Sequence, residues 1–247
     1  MIICRELCKR YGRFDAVKNL NLNIPKGTIC GFLGMNGAGK TTSIRMLTGV
    51  IEPSSGEISI AGFDMKINPT EVKRRIGYIP DRPYLYPSMT CIEYLEFVGA
   101  LFEMDSATQT NNIEMLLKHY SLWGKRNELI QGFSHGMKQR LATCAALVHE
   151  PQVLIVDEPM VGLDPIGAKT LKASLKNYAN DGMTILLSTH SLNVAEELCD
   201  YILIINDGTV LVEGSVNEIK RLAKSEDSNL ESVFLKLLNP LNEQVEI

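Results

Sequence analysis

The sequence predicts an α/β fold: a mostly parallel sheet covered on both faces, with a helical segment set into the middle of the chain. Three observations predict it. Short, continuous apolar runs bounded by turn residues recur toward both ends. Helix-length stretches separate those runs in the second half, the alternation expected of parallel strands joined by crossovers. Between the two strand-rich parts, residues 90–149 read as helix almost throughout.

Taken in order, Leu20, Leu22 and Ile24 alternate with Asn19, Asn21 and Asn23, the period of a half-buried strand. Pro25, Lys26 and Gly27 make a turn, and residues 28–33 are a second apolar run, so two strands joined by a turn are expected. From Gly39 to Thr48 the spacing of Ile44 and Leu47 is helical, with Gly49 placed to end the helix. Residues 57–60 and 76–79 read as strands. Ile92, Leu95, Phe97, Val98 and Leu101 keep an apolar helix face, as do Ile113, Leu116, Leu117 and Tyr120. Residues 153–156, 184–187 and 201–205 have the uninterrupted apolar character of buried strands. Asn206, Asp207 and Gly208 predict a hairpin turn. Ser215 with Glu218 forms a capping box for the last helices, and Leu230, Val233, Phe234, Leu237 and Leu238 line one stripe of a helix capped by Asn229. That stripe must cover something: docking on its own domain is expected first, contact between two subunits is the alternative, and a membrane surface is disfavoured by Glu231 and the single lysine.

Composition narrows the function classes. A chain of 247 residues, 45% hydrophobic and 22% charged, has the means to bury a core and is neither disordered nor fibrous. Twenty-five Lys and Arg against 29 Asp and Glu give a net charge of −4, which argues against a protein whose main task is to grip nucleic acid. No apolar stretch approaches the roughly 20 residues of a membrane span. The start of the chain lacks the apolar core of a secretory signal, so a cytosolic protein is expected. The six cysteines are scattered without a Cys-x-x-Cys pair, which predicts free thiols rather than disulfides or a zinc site.

Two motifs carry chemistry. Gly34-Met35-Asn36-Gly37-Ala38-Gly39-Lys40-Thr41 fits the phosphate-loop pattern, after a predicted strand and at the head of a predicted helix. Its glycines let backbone N–H groups face an anion; Lys40 is placed for the β and γ phosphates, and the Thr41 hydroxyl, followed by Thr42, for Mg²⁺. The second motif is the apolar run Val153-Leu154-Ile155-Val156 ending in Asp157-Glu158. In nucleotide hydrolases of this kind Asp157 serves Mg²⁺ and Glu158 polarises the attacking water as general base.

Between and after these motifs stand Phe133-Ser134-His135-Gly136-Met137-Lys138-Gln139-Arg140, Gly162-Leu163-Asp164-Pro165 and Ser188-Thr189-His190. In this order the sequence resembles the nucleotide-binding subunit of an ATP-binding cassette (ABC) transporter over nearly its whole length. The resemblance implies a P-loop NTPase core with a mostly parallel sheet, an antiparallel β subdomain and an inserted helical subdomain. It divides the chain into a core of residues 1–88 and 150–214, a helical subdomain of 89–149 and a C-terminal helical tail of 215–247. It also implies ATP and Mg²⁺ as ligands, with Tyr11 stacking on adenine and Val17 beside it. Ser134 and Gly136, at the head of a helix, would bind the γ-phosphate held by a second ABC subunit, in a homodimer or heterodimer. Asp164 would lie at the contact between subunits, and His190 would hydrogen-bond the γ-phosphate.

Two positions depart from the family pattern. The signature Leu-Ser-Gly-Gly-Gln reads Phe133-Ser134-His135-Gly136-Met137, which keeps the serine and the second glycine. Asp81 stands where the family has a glutamine that senses the γ-phosphate and couples to the membrane subunit; its carboxylate is a hard ligand that suits Mg²⁺. The resemblance further implies an integral membrane subunit as partner, and a cytoplasmic protein held peripherally on the inner face of the membrane. The segment around Leu85-Tyr86-Pro87 is similar to subunits of bacterial exporters for drugs, peptides and polysaccharides. The alternative is a soluble ABC-type ATPase acting on a nucleic-acid or ribosomal partner, whose relatives usually carry two cassettes or a long coiled coil.

Overall fold

The computed structural model describes residues 1–160, 163–222 and 230–238. Gly162, the expected cap Asn229 and the Leu238 side chain lie outside that set. The chain opens with β1 (Ile2–Tyr11), β2 (Phe14–Ile24) and β3 (Ile29–Leu33), followed by α1 (Lys40–Leu47), β4 (Ser55–Ile60), β5 (Phe63–Asp64), α2 (Pro69–Lys73) and β6 (Ile76–Ile79). Helices α3 (Cys91–Leu101), α4 (Ser106–His119) and α5 (His135–Leu147) come next, with two short 3₁₀ turns between α4 and α5. The chain continues through β7 (Val153–Asp157), α6 (Pro165–Asn180), β8 (Thr184–Thr189), α7 (Leu192–Leu198), β9 (Tyr201–Asn206) and β10 (Thr209–Ser215). The last elements among the described residues are α8 (Val216–Leu222) and α9 (Leu230–Leu238).

The strands form two sheets. One is antiparallel, in the order β2-β1-β4-β5; the other, in the order β10-β9-β3-β8-β7-β6, is parallel except for β10. The turn at Pro25, Lys26 and Gly27 therefore does not close a hairpin. It carries the chain from β2 in the first sheet to β3 in the second, because β3 is apolar on both faces and is buried on both sides. β1 was not expected from the sequence: Glu6 has a left-handed backbone and the register shifts along the pairing with β2, so the apolar alternation is interrupted.

Alternate residues of the parallel strands feed two cores. Leu33, Leu154, Val156, Ile185 and Ile202 pack with α3–α6, while Phe32, Val153, Ile155, Leu186 and Leu203 pack with α1 and the antiparallel sheet. The unbroken apolar runs arise from this two-sided burial. Thr90 caps α3 in a full capping box with Glu93, and Asp105 caps α4. The expected hairpin between β9 and β10 and the Ser215–Glu218 capping box are both present. All six cysteines are free thiols.

The last helix docks on its own chain. Leu230 and Val233 are buried, with Phe234 and Leu237 packed against the same core. The Glu196 carboxylate on α7 accepts the Leu230 N–H at 2.6 Å, supplying from another helix the acceptor that the start of α9 needs.

Candidate functional site

The strands β3, β8, β7 and β6 run parallel, so the segments that follow them leave the sheet at one edge. Those segments carry, in the same order, the phosphate loop, His190, Glu158 and Asp81.

The loop after β3 is shaped by close backbone approach. A Cβ at Gly34 would stand 2.4 Å from the Ile205 carbonyl, and one at Gly39, where φ is +108°, would stand 2.6 Å from the Ala16 carbonyl. Only glycine satisfies both positions. The Ala38 carbonyl accepts the Gly208 N–H at 2.9 Å, tying the loop to the turn between β9 and β10. Gly39 gives α1 no side-chain cap, so the first N–H groups of the helix stay available to an anion. Lys40 is buried beneath them and donates from Nζ to the carbonyls of Gly34 (2.6 Å) and Met35 (3.2 Å). Burial pushes its pKa down, against the pull of the Glu158 and Asp157 carboxylates.

At the end of β7, Asp157 is buried and Glu158 takes a left-handed conformation with φ +50°. For a residue other than glycine that costs roughly 1–2 kcal/mol. The break in the strand has a consequence: consecutive side chains of a strand point to opposite faces, yet Asp157 and Glu158 both line one groove. Glu158 Oε1 lies 3.0 Å from Nδ1 of the exposed His190.

The groove has a volume of about 520 Å³. Met35, Asn36, Gly37, Gly39, Lys40, Thr41 and Thr42 form one wall, and Asp157, Glu158 and Asp81 another. Gly34 and Ala38 do not line it; they hold the loop from behind. Val17 requires a correction. Its side chain is buried in the core between the sheets, and its neighbour Ala16 lines the groove instead, with Phe14 one strand period away on the same face. Tyr11 is half-exposed and pairs across the β1–β2 turn with Phe14, its ring under the Lys9 ammonium at 5.2 Å.

Phe14, Ala16, Arg45 and Tyr78 line the groove and were not singled out from the sequence. The period of two along β2 relates the first pair, and Arg45, four residues after Thr41, shares its face of α1. The Tyr78 hydroxyl is pushed up to about 12, first by burial and then by Asp157.

Ser134, Gly136 and Asp164 are not among the groove residues. Ser134 is the cap of α5, its Oγ accepting the Met137 N–H at 3.3 Å. Gly136 lies in the first turn of that helix, because Ser134 supplies the cap. Asp164 caps α6, accepting the Gly167 N–H at 2.6 Å.

The donor set suits Mg²⁺. The Thr41 hydroxyl and the Asp157 and Asp81 carboxylates are hard oxygens on one groove. Among the described residues no group of three or more His, Cys, Asp or Glu is placed to hold a metal by itself. Few protein ligands, with phosphate oxygens and water completing the shell, is the pattern Mg²⁺ takes beside a nucleotide.

The sequence profile of the ABC transporter family matches residues 17–161, from β2 through the carboxylate pair. The chain belongs to the ABC transporter family. Among relatives of this ABC ATP-binding subunit, the bacitracin transport ATP-binding protein BcrA of Bacillus licheniformis is 41% identical over 217 residues, 87% of this chain and 70% of that protein. Among solved structures, an ATP-binding subunit of an ABC transporter superposes with a TM-score of 0.92 at 30% identity, covering 96% of this chain and 99% of the other. A dimeric ATP-binding cassette in a post-hydrolysis state, bound to ADP and Pi, superposes with a TM-score of 0.79 at 26% identity over 87% of this chain and 98% of that one. No helix among the described residues of the ABC subunit is long and apolar enough to cross a membrane.

Proposed function

We propose that this ABC subunit binds ATP in the groove at the carboxyl edge of the parallel sheet, hydrolyses it within a dimer of cassettes, and powers substrate export by a separate membrane subunit. The single observation that carries the reading is the meeting of Lys40, Thr41, Asp157 and Glu158 on one groove at the head of α1. The free N–H groups of α1 and Lys40 bind and orient the phosphates. Thr41 and Asp157, with Asp81 nearby, would hold Mg²⁺, which would supply positive charge to neutralise the phosphate oxygens. Glu158 accepts the proton of the attacking water, and His190 orients Glu158 from the neighbouring strand.

Ser134, Gly136 and Asp164 would serve the ATP held by a second cassette, in keeping with the dimeric relative bound to ADP and Pi. Export rests on the likeness of the segment around Leu85-Tyr86-Pro87 to exporter subunits. That segment presents Tyr84 and Tyr86 to solvent beside Phe97 and Leu101 of α3, an apolar surface for a helix of the membrane subunit. The same reading divides the chain into the core, helical subdomain and tail described above and puts it on the inner face of the membrane.

The test is Glu158→Gln, which keeps the shape of the side chain and removes the base. It should bind ATP as the wild type does, lose at least about 100-fold in turnover and dimerise when ATP is added. Turnover equal to wild type overturns the assignment.

A further inference from the structure

We propose that Ser188 is a positioning residue for hydrolysis, a clamp between β8 and the end of β7 that sets both carboxylates. The proposal rests on the roles given above to Asp157 and Glu158. Ser188 lies directly opposite Asp157 in the parallel register and is wholly buried. Its hydroxyl donates to Asp157 Oδ1 and at the same time accepts the Glu158 N–H at 3.2 Å. The Ser188 carbonyl accepts that same N–H, also at 3.2 Å.

This arrangement answers a question the strand end raises. Asp157 and Glu158 share one groove only because the backbone leaves the extended conformation at Glu158, at φ +50°, and such a conformation persists only where its surroundings fix it. His190 holds the carboxylate of Glu158, and Ser188 holds its N–H with two acceptors. The same hydroxyl engages one oxygen of Asp157 and leaves the other for the groove. A single small side chain therefore couples the orientation of the metal-side carboxylate to that of the water-activating one.

The test compares Ser188→Ala and Ser188→Cys, which remove the strong donor, with Ser188→Thr, which keeps a hydroxyl; the cysteine variant fills the space the alanine variant empties. Exchange of the Glu158 amide hydrogen, followed by NMR without nucleotide, should quicken about tenfold or more in the Ala and Cys variants. Their kcat should fall about 10- to 100-fold and the Mg²⁺ concentration for half activation should rise several-fold, with ATP binding in the absence of metal kept within about twofold. The Thr variant should recover most of the turnover. Unchanged exchange at Glu158 in both the Ala and Cys variants overturns the proposal, as does faster exchange with kcat and Mg²⁺ activation within twofold of wild type. Wild-type turnover by Glu158→Gln overturns the role of Glu158 itself, and is seen without touching Ser188.

Discussion

Two helix starts in this molecule make an instructive pair. α1 begins at Gly39, which has no side chain to satisfy its first N–H groups, and it opens on a groove that also holds Lys40, Asp157, Glu158 and Asp81. α5 begins at Ser134, whose hydroxyl already accepts the Met137 N–H, and neither Ser134 nor Gly136 lines that groove. The first has carboxylates, a hydroxyl and a cation around it. The second offers donors and a helix dipole without the base. On the reading proposed above, chemistry resides at the first start and the second contributes recognition to the site of another copy, as a head-to-tail pair of cassettes would provide.

The largest expected effect breaks the comparison into its halves. Lys40→Ala disables the α1 start, and Ser134→Glu sets a negative charge at the α5 start; each alone should lower ATPase activity at least about 100-fold. Mixed in equal amounts, the two inactive proteins should regain about one quarter of wild-type activity, because half of randomly formed dimers carry one intact composite site. Steady-state phosphate release measures this. No recovery, with dimers present by light scattering, would show that the α5 start does not serve the site of a second copy of this chain.

A smaller effect sharpens the boundary between the two regions at Asp81. The residue follows β6 on the catalytic edge and leads into the exposed Tyr84 and Tyr86, so it stands between the groove and the surface proposed for the membrane subunit. Asp81→Asn should raise the Mg²⁺ requirement of the isolated subunit only about two- to threefold, since other ligands remain. Stimulation by the reconstituted membrane partner should fall about tenfold. Intact stimulation together with abolished basal activity would make Asp81 catalytic and remove its coupling role.

The difference between the regions also governs what could be read from sequence. The α1 start was legible residue by residue, because a phosphate loop requires glycines at fixed spacing, a lysine and a hydroxyl within one short run, and because a doubly buried strand such as β7 announces itself by unbroken apolarity. The parallel core was legible for the same reason. Contacts made across the sheet were not. The burial of Val17 in place of Ala16, the hold of Ser188 on the Asp157 carboxylate and the Glu158 N–H, and the transfer of the chain between sheets after Ile24 all depend on neighbours far along the chain. β1 was lost to its irregular register, and the roles of Ser134 and Asp164 rested on resemblance, since within one chain each reads as an ordinary cap.

The smallest effect concerns the seam that joins the two regions. His149 follows α5, and its Nε2 donates to the Ile76 carbonyl at the start of β6 (3.1 Å), the strand that leads to Asp81. The Phe102 ring, at the end of α3, stacks on it with centroids 3.6 Å apart, and its Nδ1 is buried without a partner. Burial pushes the His149 pKa from 6.5 down to about 4, the Ile76 contact opposing the shift. In the unfolded chain the ring charges at the higher value, so between about pH 6.5 and 4 the unfolded state binds more protons and stability falls as the solution is acidified. The stability is fully present above 6.5, and by pH 5 about 2 kcal/mol of it should be gone. Urea unfolding at pH 7.5 and pH 5 should register that loss in the wild type and about 2 kcal/mol less of it in His149→Gln, whose side chain cannot take up a proton. Turnover at pH 7.5 should stay within about twofold for His149→Gln, since the ring touches neither groove nor helix start. Equal acid sensitivity in both proteins would mean that the seam is held by packing of Phe102 alone and that proton uptake at His149 plays no part in the acid destabilisation.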